Sequence, residues 1–209
     1  MKVLFINGSP RKNGCTYTAL HEIEKILNEE GIETEYVNVP SNVSPCMVCE
    51  YCHGKERKGC FKNDIVNETY AKLDECDGIV VGTPVYYAGP SGSLKCFLDR
   101  LFYSYPNKST LNLKAAASIS NSRRGGNITS NDVVTRFFSI SGMTVITSTY
   151  WNDVHGEEPE DVLKDEEAMQ TMRNLGRNMA YYIKARKLAK ENGIEDPAIE
   201  KGTYTNFIR

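Results

Sequence analysis

Apolar positions along the chain fall into two alternating patterns. Short runs such as Val3-Leu4-Phe5-Ile6 and Ile79-Val80-Val81 contain no polar residue, the mark of a strand buried on both faces. Between them lie stretches whose apolar residues recur three and four apart. Leu20, Ile23, Ile26 and Leu27 form one such stripe, and Leu94, Phe97, Leu98, Leu101 and Phe102 another. The pattern predicts strands near 2–7, 34–39, 78–81, 115–120 and 144–148. Helices are predicted near 17–30, from Asp64, around Leu94–Phe102, around Val133–Phe138 and over about 165–191, the last with Met169, Met172 and Met179 facing the core. Regular alternation of the two element types is the sequence form of an α/β fold, a doubly wound five-stranded parallel sheet with helices on both faces. The expected strand order is 2-1-3-4-5, and residues 1–209 read as a single domain. One segment, 41–63, interrupts the alternation as an insertion and holds four of the seven cysteines.

In such a sheet, ligands sit beyond the carboxyl ends of the strands, beside the point where the strand order reverses. The first strand runs directly into Ser9-Pro10-Arg11-Lys12-Asn13-Gly14-Cys15-Thr16 and then into a helix. A glycine-containing loop ahead of a helix aims unpaired N–H groups at one spot, where the helix dipole adds positive potential. The spacing Gly8 to Gly14 is one residue too long for the nucleotide-triphosphate loop, and no G-x-G-x-x-G fingerprint is present. Hydroxyls and an arginine without magnesium-binding groups suit a terminal monophosphate such as that of FMN; an ordinary strand-to-helix turn is the plain alternative. The third strand leads into Thr83-Pro84-Val85-Tyr86-Tyr87-Ala88-Gly89-Pro90-Ser91-Gly92, whose two prolines and two glycines fix the backbone and whose tyrosines supply flat surface for a heteroaromatic ring.

Together these loops resemble the flavin sites of the NADPH-dependent FMN reductase family, whose fold is flavodoxin-like. The likeness rests on Gly8-Ser9-Pro10-Arg11 with Gly14 and Thr16, on Thr83-Pro84-Val85-Tyr86-Tyr87, and on Lys95 with Leu98-Asp99-Arg100. It continues through Arg123-Arg124-Gly125-Gly126-Asn127 and Tyr150-Trp151-Asn152, covering about residues 1–185. The resemblance implies that Ser9, Arg11, Asn13, Cys15 and Thr16 hold the FMN phosphate. It implies that Pro84, Val85, Tyr86, Tyr87 and Gly89 seat the isoalloxazine, with Asn121, Arg123, Gly125 and Gly126 as a third wall. The implied activity is oxidation of NAD(P)H with electron delivery to a quinone, free flavin or similar small acceptor, by a homodimer or homotetramer.

Cys46, Cys49, Cys52 and Cys60 form C-x2-C-x2-C-x7-C. Three thiols on a tight loop and a fourth on the return segment suit a [4Fe-4S] cluster. The spacing resembles that of iron-sulfur flavoproteins, a branch of the same family, which implies a second function: an electron carrier fed by ferredoxin through the cluster. Zinc, or thiols that bind nothing, are the alternatives. Cys15 starts a helix, where the dipole lowers a thiol pKa, so it is expected to be reactive. Trp151 is read either as a flavin-stacking ring or as a core or interface aromatic.

Composition narrows the partners. Lys plus Arg number 25 against 27 for Asp plus Glu, so nothing in the charge balance attracts nucleic acid or an anionic membrane. An N-terminus that enters a strand at once leaves no room for a signal peptide, and an odd number of cysteines argues for reduced thiols. The expected location is cytoplasmic.

Overall fold

A computed structural model describes residues 1–54, 59–200, 203, 205 and 206; residues 55–58 of the predicted insertion lie outside them. β1 (Lys2–Asn7) pairs in parallel with β2 (Glu33–Asn38) on one side and β3 (Gly78–Tyr86) on the other. β3 pairs with β5 (Ala115–Ser122), and β5 with the short strands β6 (Thr144–Val145) and β7 (Asp153–His155), all in parallel. The backbone order is β2-β1-β3-β5-β6, which is the predicted order, with β4 (Gly89–Pro90) folding back antiparallel on the end of β3.

Alternate residues of β1 feed opposite cores, as the two-residue strand period requires. Val3 and Phe5 pack with α1 (Cys15–Glu29) and α6 (Glu166–Glu191), whose Leu20, Ile23, Leu175 and Met179 are buried. Leu4 and Ile6 meet α2 (Ile65–Glu75), α3 (Gly92–Ser104) and α4 (Asn127–Ile140) through Leu73, Phe97 and Phe138. Gly31, at φ +73°, ends α1 as the sequence indicates, and α5 (Pro159–Val162) is a single turn. No helix among the described residues is long and apolar enough to cross a membrane.

Two expectations are corrected. The third strand does not stop at Val81 but continues to Tyr86, because Thr83 and Pro84 find partners in Ser120 and Asn121 of β5. The fifth strand is not one piece over 144–148. It pairs as β6, leaves the sheet, and returns as β7; with β4 added on β3, the described residues form seven strands in place of five. The departing segment is held by α6 instead: Ser148 Oγ donates to Thr171 O at 2.6 Å and Asn178 Nδ2 to Thr147 O at 2.8 Å.

Candidate functional site

The carboxyl ends of β1, β3, β5 and β7 open on one side of the sheet, at the reversal between β1 and β3. The β1–α1 loop is fixed at its root by two long-range bonds. Gly8 N donates to Gly82 O at 2.8 Å, and Gly8 O accepts from Ser91 Oγ at 2.7 Å. Asn7, fully buried, braces the loop from inside: its Oδ1 accepts from Ser9 N and its Nδ2 donates to Lys12 O, both at 3.1 Å. The loop delivers Gly14 as the N-cap of α1. No side chain caps this helix and no acidic residue occupies its first turn, so its leading N–H groups and positive dipole end face outward. Gly82 allows the close approach, since a Cβ there would lie 2.8 Å from Thr16 Cγ2.

The predicted phosphate residues gather here in different states. Thr16 is buried at the first turn, and Ser9 is buried with its Oγ accepting from Arg11 N at 3.2 Å. Arg11 and Asn13 are exposed, and Arg11 reaches Glu158 at 3.7 Å. Cys15 departs from expectation. Burial pushes its thiol pKa up, outweighing its own backbone N–H and nearby Arg11, and its Sγ points to Gly156 O at 3.7 Å. It is a buried thiol and not an activated thiolate.

The second loop is a two-residue hairpin between β3 and β4. Tyr87 (φ +49°) and Ala88 (φ +58°) both take left-handed backbone at its tip, which the twist of such a hairpin favours. Pro84, Val85 and Gly89 are half-buried, Tyr86 is exposed, and Tyr87 stands fully in solvent. Gly126, at φ +92°, caps α4 and touches this hairpin: a Cβ there would lie 2.9 Å from Ala88 Cα and Val85 Cγ1. The second and third walls are therefore in contact. Arg123 and Gly125 are exposed, and space is open around Gly125. Asn121 donates to Gly156 O at 3.4 Å, but its Oδ1 is buried without a partner. An uncapped helix start, an orphaned acceptor and open space beside a glycine fit a phosphate-bearing heteroaromatic ligand.

Sequence reasoning gave no bracing role to three residues that shape this site, although Ser91 and Asn127 lie in stretches it singled out. Asn7, Ser91 and Asn127 touch mostly backbone: Asn127 accepts from Ser122 Oγ at 2.5 Å and donates to Ser120 O at 3.0 Å, fixing the end of β5. Asn-Gly-Ser after a strand and Ser before a helical stripe were the available signals. Trp151 lies outside the core, 57% exposed, with its ring edge-on to Tyr150 at 4.9 Å.

On the α2–α3 side, Cys46, Cys49, Cys52 and Cys60 line one pocket, together with Arg100 and Tyr103. Val48 (φ +51°) and Glu50 (φ +58°) turn the backbone between the cysteines. Burial pushes the Cys52 thiol up. All seven cysteines are free, and among the described residues no three Cys, His, Asp or Glu side chains come together as one metal ion needs. Cys60 is held more firmly than the others: its N–H donates to Tyr70 Oη at 3.1 Å, and its carbonyl accepts from Asn67 Nδ2 at 2.8 Å.

The fold and the loops have counterparts in known proteins. An iron-sulfur flavoprotein of Methanocaldococcus jannaschii is 36% identical over 194 residues, 88% of this chain and 98% of its own length. A solved structure of RosB, holding 8-demethyl-8-formylriboflavin-5′-phosphate, superposes with TM-score 0.67 at 17% identity, over all of this chain and 94% of that one. A flavodoxin from the domain Archaea superposes with TM-score 0.58 at 16% identity, covering 88% of this chain and 99% of that one. The family model described as NADPH-dependent FMN reductase matches residues 1–158, which span all the strand ends just described. The chain belongs to the NADPH-dependent FMN reductase family, among relatives that carry the name iron-sulfur flavoprotein.

Proposed function

We propose that this chain binds FMN at the ends of β1, β3 and β5 and uses it to oxidise NAD(P)H and reduce a quinone, free flavin or similar small acceptor. The observation that carries the reading is the uncapped start of α1 beside an exposed hairpin: no side chain caps that helix, Asn121 Oδ1 is buried without a partner among the described residues, and Tyr87 at the hairpin tip is fully exposed. When bound, FMN would supply the redox chemistry between nicotinamide and acceptor. The protein supplies position. Amides of the first turn of α1, with Thr16 and the exposed Arg11, hold the phosphate; each hydrogen bond to a charged group contributes about 1.5–3 kcal/mol. Pro84 and Val85 give the ring a half-buried edge, Asn121 Oδ1 offers it an acceptor, and Gly125 lets it approach the backbone. Tyr86 and Tyr87 at the hairpin and Tyr150 and Trp151 ahead of β7 are exposed, and we assign them to contacts between subunits of a homodimer or homotetramer.

Flavin released by denaturation should run as FMN by chromatography. Mixing the holoprotein with NADPH or NADH in a stopped-flow cell should bleach the flavin at a rate that saturates with nucleotide. A flavin that neither nucleotide reduces rejects the reading.

A second reading is supported by the pocket that all four insertion cysteines share. In it, Cys46, Cys49, Cys52 and Cys60 ligate a [4Fe-4S] cluster that takes electrons from ferredoxin and delivers them to FMN. One zinc ion draws its sulfurs to about 2.3 Å from a single point, whereas a cube gives each thiolate its own iron and spaces the sulfurs more widely. The four thiols that line this pocket are the number a cube takes as ligands. Fast reduction by reduced ferredoxin, with none by nucleotide, would favour the carrier.

A further inference from the structure

Arg100 is among the largest fully buried side chains of the described residues, and its guanidinium points at the cysteine pocket. It is 2% exposed. Nη1 donates to Asp64 Oδ2 at 2.7 Å, and Nη2 to Asp64 Oδ1 at 2.9 Å. Nη2 also reaches Cys60 Sγ at 3.3 Å and Lys62 O at 3.4 Å. Nε is buried with no hydrogen-bond partner among the described residues. Asp64 is committed elsewhere as well, since its Oδ1 accepts from Val66 N at 3.1 Å as the N-cap of α2.

Holding α2 needs only the aspartate. A cap made by aspartate to a backbone N–H requires no buried cation behind it, and burying a guanidinium with one donor orphaned is costly. The arrangement makes sense when the pocket carries negative charge. Four thiolates around a [4Fe-4S] core leave a net anion in either redox state, and one electron more on reduction. A cation in hydrogen-bond contact with a ligating sulfur stabilises the reduced, more negative state over the oxidised one, because hydrogen bonds to sulfur and local charge set the potential of such clusters.

We propose that Arg100 is a positioning residue for the cluster: its Nη2–H on the Cys60 sulfur and its buried charge fix that ligand and raise the cluster reduction potential. The assignment rests on the reading of Cys46, Cys49, Cys52 and Cys60 as cluster ligands. It adds a role that a purely structural Arg100–Asp64 pair does not have, a control over how readily the cluster accepts an electron. The flavin loops lie at the other end of α3, so FMN should not feel the change.

The test uses wild-type, Arg100→Gln and Arg100→Lys chains, each reconstituted anaerobically with iron, sulfide and FMN and titrated with dithionite. The reduced cluster is read by EPR and the flavin by absorbance. In Arg100→Gln the cluster midpoint should fall far enough to change its reduced-to-oxidised ratio at a fixed potential at least tenfold, 59 mV for one electron. Arg100→Lys, which keeps the charge and loses the fork, should fall in the same direction by less, and the flavin midpoint should stay in place in both. An assembled cluster with an unchanged midpoint in Arg100→Gln overturns the proposal while leaving the ligand reading intact. If the Gln chain does not fold, the Lys chain decides alone: a lowered midpoint upholds the proposal and an unchanged one overturns it. A wild-type chain that takes up no iron and sulfide rejects the ligand reading itself, and the role of Arg100 with it.

Discussion

The flavin loops and the cysteine loop are built in opposite ways. At the strand ends, buried polar side chains grip the backbone: Asn7 inside the first loop, Ser91 Oγ on Gly8 O, and Asn127 across the end of β5. These bonds tie loops to the sheet over long stretches of sequence and form the site before any ligand arrives. In the cysteine loop, Met47, Val48, Tyr51 and Phe61 face solvent. Among the four cysteines, the hydrogen bonds of the described residues anchor Cys60, through Arg100, Tyr70 and Asn67. The difference teaches that a rigid scaffold can pre-organise one site while leaving the other to be completed by its ligand, as sites whose thiolates gather only on binding are.

The comparison can be broken most sharply at Cys49, the exposed member of the four. Cys49→Ala should abolish iron and sulfide uptake under anaerobic reconstitution while leaving FMN content and the melting temperature of the apoprotein unchanged; an equal loss of FMN would show that the sites are not separate. Asn7→Ala tests the other side. It strands Ser9 N and Lys12 O, each lost partner costing about 1–3 kcal/mol. For a chain of this size about 1 kcal/mol lowers Tm by about 2–4 °C, so calorimetry should show a drop of several degrees together with weaker FMN binding. An unchanged Tm contradicts the brace.

Arg11→Ala combined with Thr16→Ala removes ligand contacts from a loop that keeps its braces. FMN affinity should fall tenfold or more, about 1.4 kcal/mol, with Tm of the apoprotein nearly constant, as measured by fluorescence titration.

The smallest effect is a pH contrast between two acids. Asp153, beneath α4, is pushed above the usual carboxylate range by burial, despite hydrogen bonds from Ser120 and Asn131. Its folded pKa is raised, so its contribution to stability is present at low pH and is lost as pH rises through that value. Burial also acts on Asp64, but the hydrogen bonds from Arg100 and Val66 outweigh it and hold the group low, so its contribution is present above the ordinary carboxylate range and lost on acidification. Urea melts should therefore show Asp153→Asn gaining relative to wild type as pH rises from 4 to 7 and Asp64→Asn losing over the same span; parallel profiles would contradict the contrast.

Much of this protein is decided by local pattern. Apolar runs and helical stripes place β1, α1, α3 and α6 within a residue or two, because burial of a strand on two faces or a helix on one leaves a periodic trace. The Ser9–Thr16 loop and the four cysteines are legible for the same reason, since loop and ligand chemistry sit in contiguous residues. What escaped depends on neighbours distant in sequence. The fifth strand splits because α6 offers hydrogen bonds to the segment between β6 and β7, and β3 runs on because β5 extends beside it. Dipole logic alone predicts an activated Cys15; only its burial against Gly156, 141 residues away, shows why the thiol stays protonated. Arg100 reads as one more helical residue in a family-like stretch until the fold brings its guanidinium to Cys60, because no local rule reports which buried charge will meet which sulfur.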